Sequence, residues 1–268
     1  MGSALGRVLR DGGARVVATV AGRSERTARL ADQAGLELLP ALEDVARVAD
    51  LVLSIGPPAE AEAIAHAIAV AGASGLYVDM NAVSPTTVQF IAAELKLDVV
   101  DASISGAPPG AAGATTRIYA SGSRAPEVVA LPWDDRVDVR VIGDEVGLAS
   151  AVKMCTASVY KGTNALLLHA LASAQWYGVL EYVLDDLGHR ADDAPRRIAN
   201  IVAKSARFVG EMREIASTQE DAGLAPTLFE AMAEVYSELA GTPLAQRAPE
   251  DVPRDLTLEQ VLDALRQL

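Results

Sequence analysis

Short β-branched or apolar runs ending in Gly, Pro, Ser or Asn alternate with stretches of helical spacing through the first half of the chain. Runs at 14–20, 36–39, 50–55, 76–80 and 97–101 read as strands, because they are short, rich in Val, Ile and Leu, and bounded by turn residues. Between them, residues 25–34, 41–48, 59–71 and 85–95 repeat apolar positions every three or four residues and are rich in alanine, which predicts helices. Strands and helices alternating at this length predict parallel strands covered by helices on both faces. Strand character returns at 115–121 and 137–142 after a loop rich in Gly, Pro and Ala. Beyond Gly143 helical patterns fill the chain, punctuated by Gly178, Gly188, Gly223 and Gly241 as helix ends. The fold class is therefore α/β: a parallel-sheet domain at 1–143 followed by an all-α domain at 144–268.

Composition narrows the partners. The 268 residues suffice for a core without disulfide staples, and Cys155 is the single cysteine. A net charge of -13 argues against nucleic acid, whose phosphates need clustered Lys and Arg. The three histidines are far apart and lack metal-ligand spacing, so no metal site is expected. The most apolar stretch, 149–176, is interrupted by Lys153, Lys161 and His169, which predicts a buried helix and not a membrane span. With no charged-then-apolar leader, the expected location is the cytoplasm.

In open parallel sheets, ligands bind beyond the carboxyl ends of the strands. The first strand ends in Ala21-Gly22-Arg23-Ser24, without the acid that usually binds a ribose 2′-hydroxyl. Arg23 and Ser24 instead offer donors suited to a 2′-phosphate, which favours NADP with NAD as the alternative; Ser24 also reads as a helix N-cap. The third run ends in Ile55-Gly56-Pro57-Pro58, where glycine permits close approach of a ligand and proline stiffens the loop. The fourth leads into Asn81-Ala82-Val83-Ser84-Pro85. Ser84 and Pro85 are a cap and first-turn pair, and Asn81 is a candidate contact to cofactor and substrate, since an amide both donates and accepts. The fifth reaches Ser105-Gly106-Ala107, a turn of small residues whose exposed N–H groups suit a substrate carboxylate.

From Gly147 the pattern is nearly uninterrupted helix, roughly 28 residues or about 42 Å long. It is apolar almost all round. Lys153, Thr156, Tyr160, Lys161 and Asn164 form a polar stripe along it. A lysine near the start of a buried helix is costly unless paired or working, and burial suits it to proton transfer near neutral pH.

These motifs, in this order, resemble the 6-phosphogluconate/β-hydroxyacid dehydrogenase superfamily over nearly the whole chain. Met1-Gly2 is similar to the end of that family's Gly-x-Gly-x-Met-Gly turn, so Gly2 corresponds to a cofactor-turn glycine. The segment from Asp79 to Pro85 resembles the family's Asp-x-Ser-Thr-x-Ser-Pro, and that from Asp101 to Gly106 resembles Asp-Ala-x-x-Ser-Gly-Gly. Gly147 followed by Lys153 matches Gly-x-x-x-x-x-Lys. The resemblance implies a Rossmann-type domain lacking its first strand and first two glycines as given, with an all-helical domain after it. It also implies Lys153 as general acid/base, substrate contacts at Asn81, Ser105, Gly106 and Ala107, a small-molecule substrate, and a homodimer through the helical domain. In the second half, Lys153-Met-Cys, Lys161-Gly, Glu211-Met-Arg and Ala222-Gly-Leu-Ala-Pro226 are similar to a phosphogluconate dehydrogenase-like subgroup with its own C-terminal domain. The comparison predicts roughly ten upstream codons for an apolar strand and Gly-x-Gly, and weaker NADPH binding by the chain as written than by the extended form. Ala157, Ala107 and Glu211-Met212-Arg213 depart from the hydroxyacid dehydrogenase pattern and argue against 3-hydroxyisobutyrate or 6-phosphogluconate as substrate. Imine reduction on the same architecture and a catalytically silent nucleotide-binding dimer stand as alternatives.

Overall fold

The computed structural model describes all residues except 96, 112, 114, 254 and 266–268. It divides into two compact units, Met1–Met154 and Cys155–Leu268.

The first unit begins with α1 (Gly2–Asp11), β1 (Val17–Ala18), α2 (Glu25–Gln33), β2 (Glu37–Leu38), α3 (Leu42–Val48) and β3 (Leu51–Ser54). A 3-10 turn at Pro58–Glu60 leads into α4 (Ala61–Val70), β4 (Leu76–Asp79), α5 (Pro85–Glu94) and β5 (Val99–Ser105). There follow β6 (Thr116–Ser121), α6 (Ala125–Val129), β7 (Val137–Gly143) and the start of α7 (Leu148–Trp176). Five strands form one sheet in the order β3-β4-β5-β6-β7. β3, β4 and β5 are parallel, and β6 pairs antiparallel to β5 and parallel to β7.

Side-chain alternation explains why the sheet is covered on both sides. Leu76, Val78, Val100 and Ala102 point to one face, where Leu5 and Val8 of α1 join them. Tyr77 points to the other, into Ala61, Ala65 and Ile68 of α4 and Val88 of α5. β4 is buried along its whole length, as a central parallel strand requires. Ser24 and Ser84 each accept an N–H in the first turn of the helix they precede, and Pro85 follows Ser84 in the first turn.

The expected runs at 14–20 and 36–39 shrink to two residues each, because β1 and β2 pair only with one another. Helix α1 was not foreseen, although Leu5, Val8 and Leu9 lie on one buried face. Among the described residues β1 and β2 form a sheet separate from that of β3. The edges of both border one cavity of about 830 Å³, and Leu51, Val52 and Leu53 on β3 are only half-buried.

The second unit continues α7 and adds α8 (Leu180–Leu187), α9 (Ala194–Val202), α10 (Ser205–Asp221), α11 (Thr227–Ala240) and α12 (Leu258–Asp263). Phe208 of α10 meets Tyr236 of α11 edge to face at 5.3 Å, and the Tyr236 hydroxyl donates to the Lys161 carbonyl at 2.9 Å. Lys161 pairs with Glu211, which also accepts from Arg207 at 3.0 Å. Among the described residues no helix is long and apolar enough to cross a membrane.

Candidate active site

The cavity between β1 and β3 gathers Gly2, Arg23, Ile55, Gly56 and Pro57, all expected as cofactor contacts. Gly2 opens α1, and a Cβ there would meet Ile55 at an ordinary 3.8 Å, so close packing alone does not demand a glycine. Gly56 is tighter: a Cβ would lie 2.9 Å from the end of the Ile64 side chain. Arg26 and Thr27 line the same space, and Arg23 donates to Glu60 at 3.0 Å. That pair is solvent-exposed and worth at most about 1 kcal/mol, so a phosphate can displace the carboxylate. Ser24 is engaged as the cap of α2, its oxygen accepting the Thr27 N–H. The volume lies within the range that small-molecule sites occupy, and its three arginines, Arg15, Arg23 and Arg26, suit a phosphorylated nucleotide.

Asn81 has a different geometry from the one expected of a ligand contact. It is 3% exposed. Its side-chain nitrogen donates to Ser54 Oγ at 3.1 Å and Asp79 Oδ2 at 3.0 Å, and its Oδ1 accepts the Gly56 N–H at 2.6 Å. Its own backbone N–H donates to Asp79 Oδ1 at 2.9 Å. Asn81 thus ties the end of β4 to the loop after β3 from inside the sheet.

Asp79 closes β4 and is the register partner of Asp101, the third residue of β5, and both are buried. Burial pushes the Asp79 carboxyl up to about 6; the neighbouring Asp101 adds to the rise, while the hydrogen bonds from Asn81 oppose it. Burial also raises Asp101, against donors from Ser150, Ser121 and Gly147. The Asp101 carboxylate accepts the backbone N–H groups of Gly147 and Ser150 at 3.0 and 2.9 Å and the Ser150 hydroxyl at 2.8 Å. A negative group there complements the first turn of α7 and satisfies amides that have no partner within the helix.

Anchored in this way, α7 delivers Lys153 to the end of β5. Lys153 Nζ donates to the Ile104 carbonyl at 2.7 Å, directly before Ser105 and Gly106. Gly106 has φ +103°, a backbone conformation that favours glycine. The Ala107 carbonyl accepts the Thr116 hydroxyl at 2.6 Å, fixing the end of that turn. Farther along the expected polar stripe, Asn164 accepts from Arg197 at 3.0 Å, Lys161 pairs with Glu211, and Tyr160 is exposed. Sequence reasoning passed over Asp79 and Asp101 as working groups; the available signal was an aspartate at or next to the end of each of two apolar strand runs.

Among the described residues no cluster of three or more His, Cys, Asp and Glu is placed to hold a metal ion.

The family described as the NAD binding domain of 6-phosphogluconate dehydrogenase matches residues 1–129, and a domain of unknown function, DUF1932, matches residues 174–239. An uncharacterized 28.5 kDa protein of Methanothermus fervidus is 30% identical over 168 residues, which span 63% of this chain and 65% of that relative's length. A solved conserved protein of unknown function, described as structurally similar to 3-hydroxyacid dehydrogenases, is 30% identical. That match covers 89% of this chain and 92% of the other, with a TM-score of 0.65. The 3-hydroxyisobutyrate dehydrogenase of Mycobacterium tuberculosis shares the fold at 19% identity and a TM-score of 0.69, covering 99% of this chain and 96% of that one.

Proposed function

This chain belongs to the NAD-binding family of 6-phosphogluconate dehydrogenase, and on that premise we propose that it is an NADP-dependent oxidoreductase acting on a small carbonyl or hydroxy compound. The observation that carries the proposal is Lys153: a lysine on a carboxylate-anchored helix, its amine held at the carboxyl end of β5 beside Ser105 and Gly106. There it is placed to exchange a proton with the oxygen of the reacting carbon. In reduction the Lys153 ammonium gives a proton to the carbonyl oxygen; in oxidation the neutral amine takes the hydroxyl proton. A bound nicotinamide would supply or accept the hydride.

Gly2, Arg23, Ile55, Gly56 and Pro57 would hold the nucleotide, the glycine loop letting backbone approach its phosphates. Arg23 and Arg26, with no acid closing the β1 run, support NADP over NAD. Ser105, Gly106 and Ala107 would position the substrate through their backbone.

The reading extends to a homodimer formed through the helical unit. Its support is an exposed apolar set on α7, α8 and the turn between them that includes Leu166, Trp176, Tyr177 and Tyr182, with Trp176 and Tyr182 76% and 78% exposed.

A screen of small carbonyl, hydroxy and imine compounds, followed by the absorbance of NADPH and of NADH, tests the proposal. Carbonyl reduction faster with NADPH is expected. Turnover confined to imines would transfer the assignment to imine reduction, and tight nucleotide binding without turnover would replace it with a silent binding protein.

A further inference from the structure

Asp79 pairs with Ser54 of the cavity lining, and its two carboxylate oxygens both grip one further residue. Oδ1 accepts the Asn81 backbone N–H and Oδ2 its side-chain amide. That double contact fixes which way the Asn81 amide faces: nitrogen toward Asp79 and Ser54, oxygen toward the Gly56 N–H. The Gly56 backbone is therefore oriented by a carboxylate two hydrogen bonds away. We propose that Asp79 is a positioning residue for the nucleotide loop: its carboxylate, acting through Asn81, holds the Ile55-Gly56-Pro57 backbone in its binding form, and protonation of that carboxylate releases it. The inference rests on the reading of this loop as a cofactor contact.

The chemistry of the switch is a conflict of donors. A proton on Asp79 Oδ2 in the lone pair that holds the Asn81 amide removes that acceptor, and two donors cannot share one contact. Turning the Asn81 amide over repairs the Asp79 side but points its NH2 at the Gly56 N–H, which then has no acceptor. An N–H left unmatched at this part-buried position costs up to about 1–3 kcal/mol, enough to move a short loop. Groups facing Asp79 come from every neighbouring strand. They are Ser54 on β3, Tyr77 on β4 itself, and Asp101 on β5. The Tyr77 hydroxyl is buried beside Ser54 and Asp79, and burial and the Asp79 charge both raise its pKa. Asp101 adds a second buried carboxyl whose repulsion favours protonated Asp79.

The direction of the stability effect is opposite to that of the loop effect, which makes the role separable from a merely structural one. The Asp79 carboxyl lies above its ordinary value near 3.8, so the folded chain binds this proton more tightly than the unfolded chain. Its contribution to stability is complete below that ordinary value and is lost as pH rises through about 6. Acidification thus strengthens the fold at this group while loosening the loop.

The test is amide exchange at Gly56 in the free full-length chain from about pH 8 to about pH 5, corrected for intrinsic rates, with thermal unfolding and NADPH titration at each pH. In the wild type, Gly56 protection and NADPH affinity are expected to fall together by about tenfold through the Asp79 transition, the equivalent of one hydrogen bond. Asp79→Asn, which places a permanent donor there, should give low, pH-independent protection and affinity. Asn81→Ala should lose the protection while keeping the Asp79 contribution to pH-dependent stability; it and the wild-type series stand as tests if Asp79→Asn does not fold. Gly56 protection that ignores pH in the wild type, or that survives Asn81→Ala, would overturn the proposal. NADPH affinity that stays constant while protection changes would also overturn it. Absence of nicotinamide nucleotide binding at every pH, with the Gly56 pattern as expected, would instead defeat the functional reading and leave the Asp79–Asn81–Gly56 relay standing.

Discussion

Arg23 is the residue on which the choice of cofactor turns. Its guanidinium lines the cavity and pairs with Glu60, and both side chains are half-exposed. Exchanging that carboxylate for a 2′-phosphate replaces a weak surface pair with a charge-assisted contact of about 1.5–3 kcal/mol. Arg23→Ala should therefore weaken NADPH by roughly 10- to 100-fold and leave NADH within a few-fold, as read by fluorescence titration. Equal loss for both nucleotides would place Arg23 elsewhere than at the 2′-position. Asn81 shows how residue type alone misleads. Its amide reads as a ligand contact at a strand end, but its partners are Ser54 on β3, Asp79 on β4 and the Gly56 backbone in the loop after β3. Ser54 and Gly56 precede it by about 25 residues, and nothing in the local pattern marks that pairing.

At the scale of elements, the alternation of strands and helices was legible because burial writes itself as apolar periodicity. The long helix was equally plain: expected from Gly147 over roughly 28 residues, it spans Leu148–Trp176. Its anchor was not, since Asp101 meets Gly147 and Ser150 only through the return of the chain from β7. Nor was the orientation of β6, which runs antiparallel to β5 although its composition resembles that of its parallel neighbours. Asp101→Asn keeps the volume and replaces an acceptor by a donor facing the amides of α7. It should destabilise the first unit by about 1–3 kcal/mol, measured by chemical denaturation; no loss would show that the helix start is held by other contacts. In the second unit, Lys161 and Glu211 form a pair whose side chains are 12% and 4% exposed. Lys161→Met alone should cost about 3–5 kcal/mol, because Glu211 stays buried with its direct ion-pair partner lost and exposed Arg207 left beside it. Combined with Glu211→Leu, much of that loss should be recovered, since an apolar pair of similar size replaces the buried ions. A double-mutant cycle that is simply additive would show no coupling between them.

For the whole molecule, the prediction concerns assembly. Exposed Trp176, Tyr177 and Tyr182 are apolar surface of a kind that solvent tolerates poorly when contiguous. Trp176→Asp should shift the sedimentation of the chain from dimer toward monomer, whereas an unchanged sedimentation coefficient would remove this surface from the dimer. The central claim, that Lys153 moves the proton in a nicotinamide-dependent reaction, has its most direct test in turnover. NADPH consumption with the best carbonyl substrate is compared between the wild type and Lys153→Ala, with NADPH affinity measured on both. The expected result is a fall in kcat of about 10²- to 10⁴-fold at nearly unchanged NADPH affinity. Turnover by Lys153→Ala at the wild-type rate would contradict the claim.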